Sequence, residues 1–156
     1  MESLAQLSPT LQACLAGIFG LLVGSFLNVV ITRLPVMMMR QWRAEAREAL
    51  ELEAEDTPRF NLLVPASRCP GCDMPIKWHD NLPILGWLKR RGRCARCNTR
   101  ISAQYPLVEL DGGALGASIA LIYGLEVQSL WIFGACLTLL VLSVIDFRTQ
   151  LLPDAI

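Results

Sequence analysis

The sequence predicts an all-α integral membrane protein with about three transmembrane helices and a small cytoplasmic zinc-ribbon-like module built on four cysteines. Three observations carry this expectation. No charged side chain occurs from Ser3 through Thr32, from Gly112 through Leu125, or from Val127 through Ile145. Such runs match the roughly 20 apolar residues that span a bilayer. Thirteen of the 14 Lys and Arg lie between Arg33 and Arg100, in the segment that joins the first run to the second. That segment also holds Cys69-Pro-Gly-Cys72 and Cys94-Ala-Arg-Cys97, with 21 residues between the pairs.

The first span is expected at about residues 10–32. A cleaved signal peptide would carry a basic n-region, whereas the charge preceding this run is Glu2. Gly20 and Gly24 are spaced for close approach of a second helix. Asn28 follows in the same span, and an amide at that depth needs protein or water as its partner. It is either a helix-packing group or a member of a site. Residues 40–56 are rich in strong helix formers and read as a solvated helix leaving the membrane. Arg47 and Glu51 stand four apart on it and are placed to pair. Thr57, Pro58 and Pro65 are expected to break it.

The cysteine module runs from about residue 68 to residue 102. Cys69, Cys72, Cys94 and Cys97 have the spacing of a structural zinc site, although the gap between pairs slightly exceeds the usual range. Four thiolates complete a tetrahedral shell and leave no open position for catalysis by the metal. A unit of this size has too little core to fold unaided, so the metal is expected to supply the missing stability. His79, the one histidine of the chain, reads as a surface or aromatic-cluster residue rather than a ligand. Cys14 and Cys136 fall in the spans and are assigned no role. The formal net charge is zero, which gives no general case for a nucleic-acid partner. Basic residues flanking spans favour the cytoplasmic side, and a reducing compartment keeps thiols available to metal.

Two further spans are expected, at about 105–125 and 127–147. Asp146 closes the second of them. A carboxylate there is either a functional group or a charge that marks the helix end beside Arg148. Asp154 follows Leu152-Pro153 and suggests the start of another helix. On one helix Asp146 and Asp154 would lie about 12 Å apart along the axis, too far to share a proton. The organisation expected is therefore a first transmembrane helix at 1–34, a cytoplasmic loop at 35–104 with the zinc module at 68–102, and two further transmembrane helices with the start of a next segment at 105–156.

Several segments together resemble the bacterial type IV prepilin peptidase family: Gly24-Ser-Phe-Leu-Asn-Val-Val-Ile-Thr-Arg-Leu-Pro35, the two cysteine pairs, Asn81-Leu-Pro-Ile-Leu-Gly-Trp-Leu88, Arg91-Gly-Arg-Cys94, Ile101-Ser-Ala-Gln-Tyr-Pro-Leu-Val-Glu109 and Asp146-Phe-Arg-Thr-Gln-Leu-Leu-Pro-Asp154. The resemblance implies a membrane aspartyl endopeptidase of the bacterial inner membrane. It would cut the leader from prepilins or pseudopilins of type IV pilus and type II secretion systems, then N-methylate the new terminus from S-adenosylmethionine. It implies Asp146 as one catalytic carboxylate, with the second in a Gly-x-Gly-Asp motif that these 156 residues do not contain. The chain is accordingly expected to be an N-terminal part, incompetent as a peptidase alone. No residue-level S-adenosylmethionine site follows from the sequence. The competing reading is a non-catalytic membrane protein that docks a cytoplasmic partner through its zinc module.

Overall fold

Residues 7–53 and 58–150 are described by the structure, a computed structural model. Four α-helices occur among them: α1 (Pro9–Ala49), α2 (Leu85–Lys89), α3 (Gln104–Tyr123) and α4 (Val127–Thr149), with a 3-10 turn at Trp78–Asp80. α1, α3 and α4 are each long and apolar enough to cross a membrane.

α1 begins on Ser8, whose hydroxyl accepts from Leu11 N–H at 3.4 Å, with Pro9 at the first helical position. Both features suit a helix start, because a proline there forfeits no hydrogen bond. The helix then continues for 41 residues, straight through Pro35. At about 1.5 Å per residue this is about 60 Å, roughly twice the hydrocarbon thickness. The solvated helix expected from residue 40 is thus continuous with the helix that carries the first candidate span. It stops at Ala49, before the expected breakers; Thr57 lies outside the described residues. Leu50 N–H caps the end by reaching Ala46 O and Arg47 O, and Glu51 takes a left-handed φ of 55°. That turn overrides the expected Arg47–Glu51 pair. Arg47 instead donates to the carbonyl of Glu53, through Nε at 3.1 Å and Nη2 at 2.9 Å.

α3 packs along α1 through small residues. A Cβ on Gly24 would lie 2.8 Å from Glu109 Cα, and one on Gly20 would collide with the carbonyl of Gly112. The Gly20/Gly24 spacing therefore sets a close backbone approach, as it predicts. α4 closes the bundle over two apolar clusters. Ile31, Val108, Val141 and Ile145 form one, and Ile119, Phe133 and Leu137 form the other. Gly20→Val is expected to force α1 and α3 apart. The cost should be about 1–3 kcal/mol, as for other overpacked contacts, read as a lower unfolding midpoint in detergent. An unchanged midpoint would contradict this packing.

Candidate metal centre and adjoining cavity

The two cysteine pairs fold as equivalent halves. In the first, Cys69 N–H donates to Met74 O and Asp73 N–H to Cys69 O; in the second, Cys94 N–H donates to Thr99 O and Asn98 N–H to Cys94 O. Asp73 and Asn98 occupy the matching left-handed positions, at φ 53° and 55°. Asp and Asn tolerate that region better than other side chains with a Cβ. Within each half a backbone N–H points at the first sulfur, from Gly71 to Cys69 and from Arg96 to Cys94, both at 3.4 Å. Isolated bridges close both turns at equivalent places, Arg68 with Pro75 and Arg93 with Arg100.

This fold brings all four predicted sulfurs together, within 4.8 Å of one another. Cys69 Sγ lies 3.6 Å from Cys97 Sγ, and Cys72 Sγ lies 4.0 Å from Cys94 Sγ. A zinc–sulfur bond of about 2.3 Å in a tetrahedron gives sulfur–sulfur edges of about 3.8 Å. The donor set and its size therefore fit zinc. Two thiols are already biased toward the thiolate. The Thr99 hydroxyl, with its backbone, draws Cys97 down to about 6. The backbone N–H groups of Cys97 and Arg96 lower Cys94. Cys72 moves the other way. The Met74 backbone favours its thiolate, but burial and the three neighbouring cysteines outweigh that and push it up to about 11. Filling the site with a cation must therefore expel protons, and metal affinity is coupled to pH. His79 lies outside the sulfur cluster. Its ring meets Trp78 edge-on at 5.6 Å, and its Nε2 is 3.7 Å from Asp80. Cys14 and Cys136 are free thiols apart from it.

The segment between the pairs is tied down by Asp80. Arg90 donates to it through Nε at 3.1 Å and Nη2 at 2.7 Å, and Lys89 through Nζ at 3.2 Å. The Arg90 guanidinium, aided by Lys89, holds the Asp80 carboxyl at about 2. A carboxylate depressed in the fold stabilises it above the unfolded value, and the benefit vanishes as the acid form takes over. The 78–90 segment is thus expected to loosen between about pH 4 and pH 2, read by hydrogen exchange of its amides. Asp80→Asn should abolish that pH dependence, and its persistence in the variant would contradict the assignment.

The module meets the membrane helices at one carboxylate that the sequence motifs did not single out by chemistry. Glu109 of α3 accepts from Ile84 N–H at 2.7 Å. Ile84 has φ 58° and ψ −50°, and Leu85 N–H returns to Pro83 O at 2.5 Å. This is the strained form of the three-residue turn, rare for a β-branched side chain. A carboxylate within a largely apolar helix was the available signal, and it points equally to Asp111, which stands exposed two residues further on. Nearby, Asn28 is buried, and its Nδ2 donates to Tyr105 O at 2.9 Å and Gly24 O at 3.4 Å. Both partners are carbonyls, so the amide orientation is fixed by them. Asn28 is therefore a bond between α1 and the start of α3. Arg33 plays the same part for the loop, donating to Asn61 O at 2.9 Å and Pro65 O at 2.6 Å.

Between the helix pair and the module lies a cavity of about 960 Å³. Ser25, Asn28, Trp87, Gln104 and Glu109 line it, together with arginines from the module and Arg148 from α4. Asp146 stands exposed in the last turns of α4 and is not part of this lining. Two residues along a helix correspond to a turn of about 200°, so Asp146 and Arg148 leave α4 on opposite sides. Asp154 lies outside the described residues, and with it the expected separation from Asp146.

These features define a class: a membrane protein with several candidate spans and a four-cysteine module built on their polar end. Residues 18–123 match the family model of the bacterial peptidase A24 N-terminal domain, and the chain belongs to that family. It is 48% identical over 150 residues to a prepilin leader peptidase/N-methyltransferase of Pseudomonas putida, covering 96% of this chain and 52% of the relative. Another protein of that name, from Stutzerimonas stutzeri, is 50% identical over 144 residues, 89% of this chain and 48% of the relative. A third, from Burkholderia pseudomallei, is 43% identical over 159 residues, covering the whole chain and 52% of the relative. The chain thus spans about half the length of these curated relatives. No solved structure matches it.

Proposed function

We propose that these residues form the N-terminal portion of a membrane aspartyl endopeptidase and N-methyltransferase acting on prepilin or pseudopilin leader peptides. The observation that carries the proposal is the family membership across residues 18–123, together with relatives of that name aligned over 96% and 100% of the chain. Asp146 supplies one carboxylate of the peptidase pair, and a second comes from a Gly-x-Gly-Asp motif. Two such groups share one proton, so that one activates water while the other serves as acid. Cys69, Cys72, Cys94 and Cys97 hold structural zinc, whose part is to fix the module rather than to react. The basic module lies on the cytoplasmic side of the inner membrane, in keeping with the charge distribution.

The second activity needs a methyl donor, S-adenosylmethionine, and a place where it meets the freed amine. The cavity of about 960 Å³ beside the module has the room, aromatic surface at Trp87, and polar groups for such a ligand. It lies on the other side of α4 from Asp146, which suits separate cleavage and methylation sites. A leader-cleavage assay tests the peptidase reading. The 156-residue chain should leave a prepilin uncut, and a longer polypeptide that adds Gly-x-Gly-Asp should cut it. Cleavage by the 156-residue chain alone would overturn the shared-proton assignment. The docking alternative draws on Trp78, which is 78% exposed on the module. Stoichiometric capture of a secretion component without turnover by the longer polypeptide would favour it instead.

A further inference from the structure

We infer that Arg93 and Arg100 form an oxyanion-binding wall of the cavity, and that this wall takes a carboxylate or phosphate of the ligand. The naming of the methyl donor as that ligand rests on the function proposed above. Arg93 and Arg100 face each other across an antiparallel bridge. Its flanking bonds are Cys94 N–H to Thr99 O and Ile101 N–H to Gly92 O, at 2.9 and 2.8 Å. The two arginines are therefore a non-hydrogen-bonded pair, the arrangement with Cα atoms only about 4.5 Å apart and side chains closest. Like charges so placed repel. Both residues line the cavity. Among the described residues no carboxylate forms an ion pair with either.

The acids on the wall are already engaged. Asp80 is held by Lys89 and Arg90, and Glu109 by Ile84. Lys77 and Arg148 line the same space, also without an ion-paired carboxylate among the described residues. The thiolates do not absorb this charge. From Arg68 to Ser102 there are eight Lys and Arg against two Asp. A zinc tetrathiolate carries two net negative charges, which leaves about four positive charges in excess. Paired guanidinium groups match carboxylate and phosphate oxygens by geometry as well as charge. No carboxylate among the described residues supplies the anion this wall calls for. The two available sources are the carboxylate of S-adenosylmethionine and the phosphate of a lipid headgroup near the helix ends.

The test compares the zinc-loaded chain with its Arg93→Gln/Arg100→Gln variant in uncharged detergent. Titration calorimetry measures S-adenosylmethionine and its decarboxylated analogue, which differ by the carboxylate alone. A parallel arm counts phosphatidylglycerol retained in native mass spectrometry. At least ten-fold preference for the carboxylated compound, lost in the variant, supports the wall with the methyl donor as source. Equal binding of the two compounds, with arginine-dependent retention of phosphatidylglycerol, supports the wall with lipid as source. If the variant alters neither arm, or alters only zinc content, the arginines merely balance the thiolates and the inference fails. It fails also if the unaltered chain shows no anion binding in either arm. Absence of S-adenosylmethionine binding alone refutes the proposed methyl-donor site and leaves the lipid arm to decide the wall.

Discussion

Asp146→Asn, placed in a polypeptide that carries both proposed carboxylates, should reduce leader cleavage by about 10²–10⁴-fold, the usual share of a positioned acid or base. The amide keeps the size of the side chain and removes its ability to hold or pass the shared proton. Asp146 is exposed on α4, so the substitution leaves the Ile31, Val108, Val141 and Ile145 cluster intact. Stability in detergent should therefore stay constant while turnover falls. Methylation of a peptide already freed of its leader should survive, because the cavity is lined from α4 by Arg148 rather than by Asp146. Unchanged cleavage would remove Asp146 from the chemistry. Parallel loss of both activities would indicate a single shared site instead of two.

Replacing Cys69 with serine should have the larger structural effect. Its sulfur is buried, stands 3.6 Å from Cys97 Sγ, and accepts from Gly71 N–H. Structural zinc contributes an apparent 10–16 kcal/mol in small metal-folded units, and two isolated bridges, the Asp80 ion pairs and the Ile84–Glu109 bond are little to replace it. Amides from 68 to 102 should lose exchange protection together, while those of α3 and α4 remain protected. The damage should stay local because the helix bundle has its own apolar clusters, made by α1, α3 and α4. A chelator strong enough to strip zinc should reproduce the pattern in the unaltered chain. Retained protection across 68–102 after complete metal removal would mean that packing, not metal, holds the module.

Much of this architecture was legible in the sequence because its causes are local. A bilayer demands about 20 apolar residues in a row, and the chain supplies three such helices. A Cys-x-x-Cys turn needs only its own backbone to aim two sulfurs. The repeated use of Asp73 and Asn98 in left-handed positions shows how alike the two turns are. Other features depended on distant partners. The loop expected from residue 35 is helical where it begins, because α1 runs through Pro35 to Ala49. The Glu109 contact with Ile84 spans 25 residues, and that of Asn28 with Tyr105 spans 77. Neither follows from periodicity or composition. The arginine pair at positions 93 and 100 emerges only once the second cysteine turn is closed in register. The separation of Asp146 from the cavity likewise requires the helix to be placed.

Elemental analysis of the purified chain is the most direct test of the metal-held module on which the cavity depends. Close to one equivalent of zinc per polypeptide is expected after gel filtration, with none in a protein lacking all four of Cys69, Cys72, Cys94 and Cys97. Less than half an equivalent of tightly held metal, with residues 68–102 still folded, would contradict it.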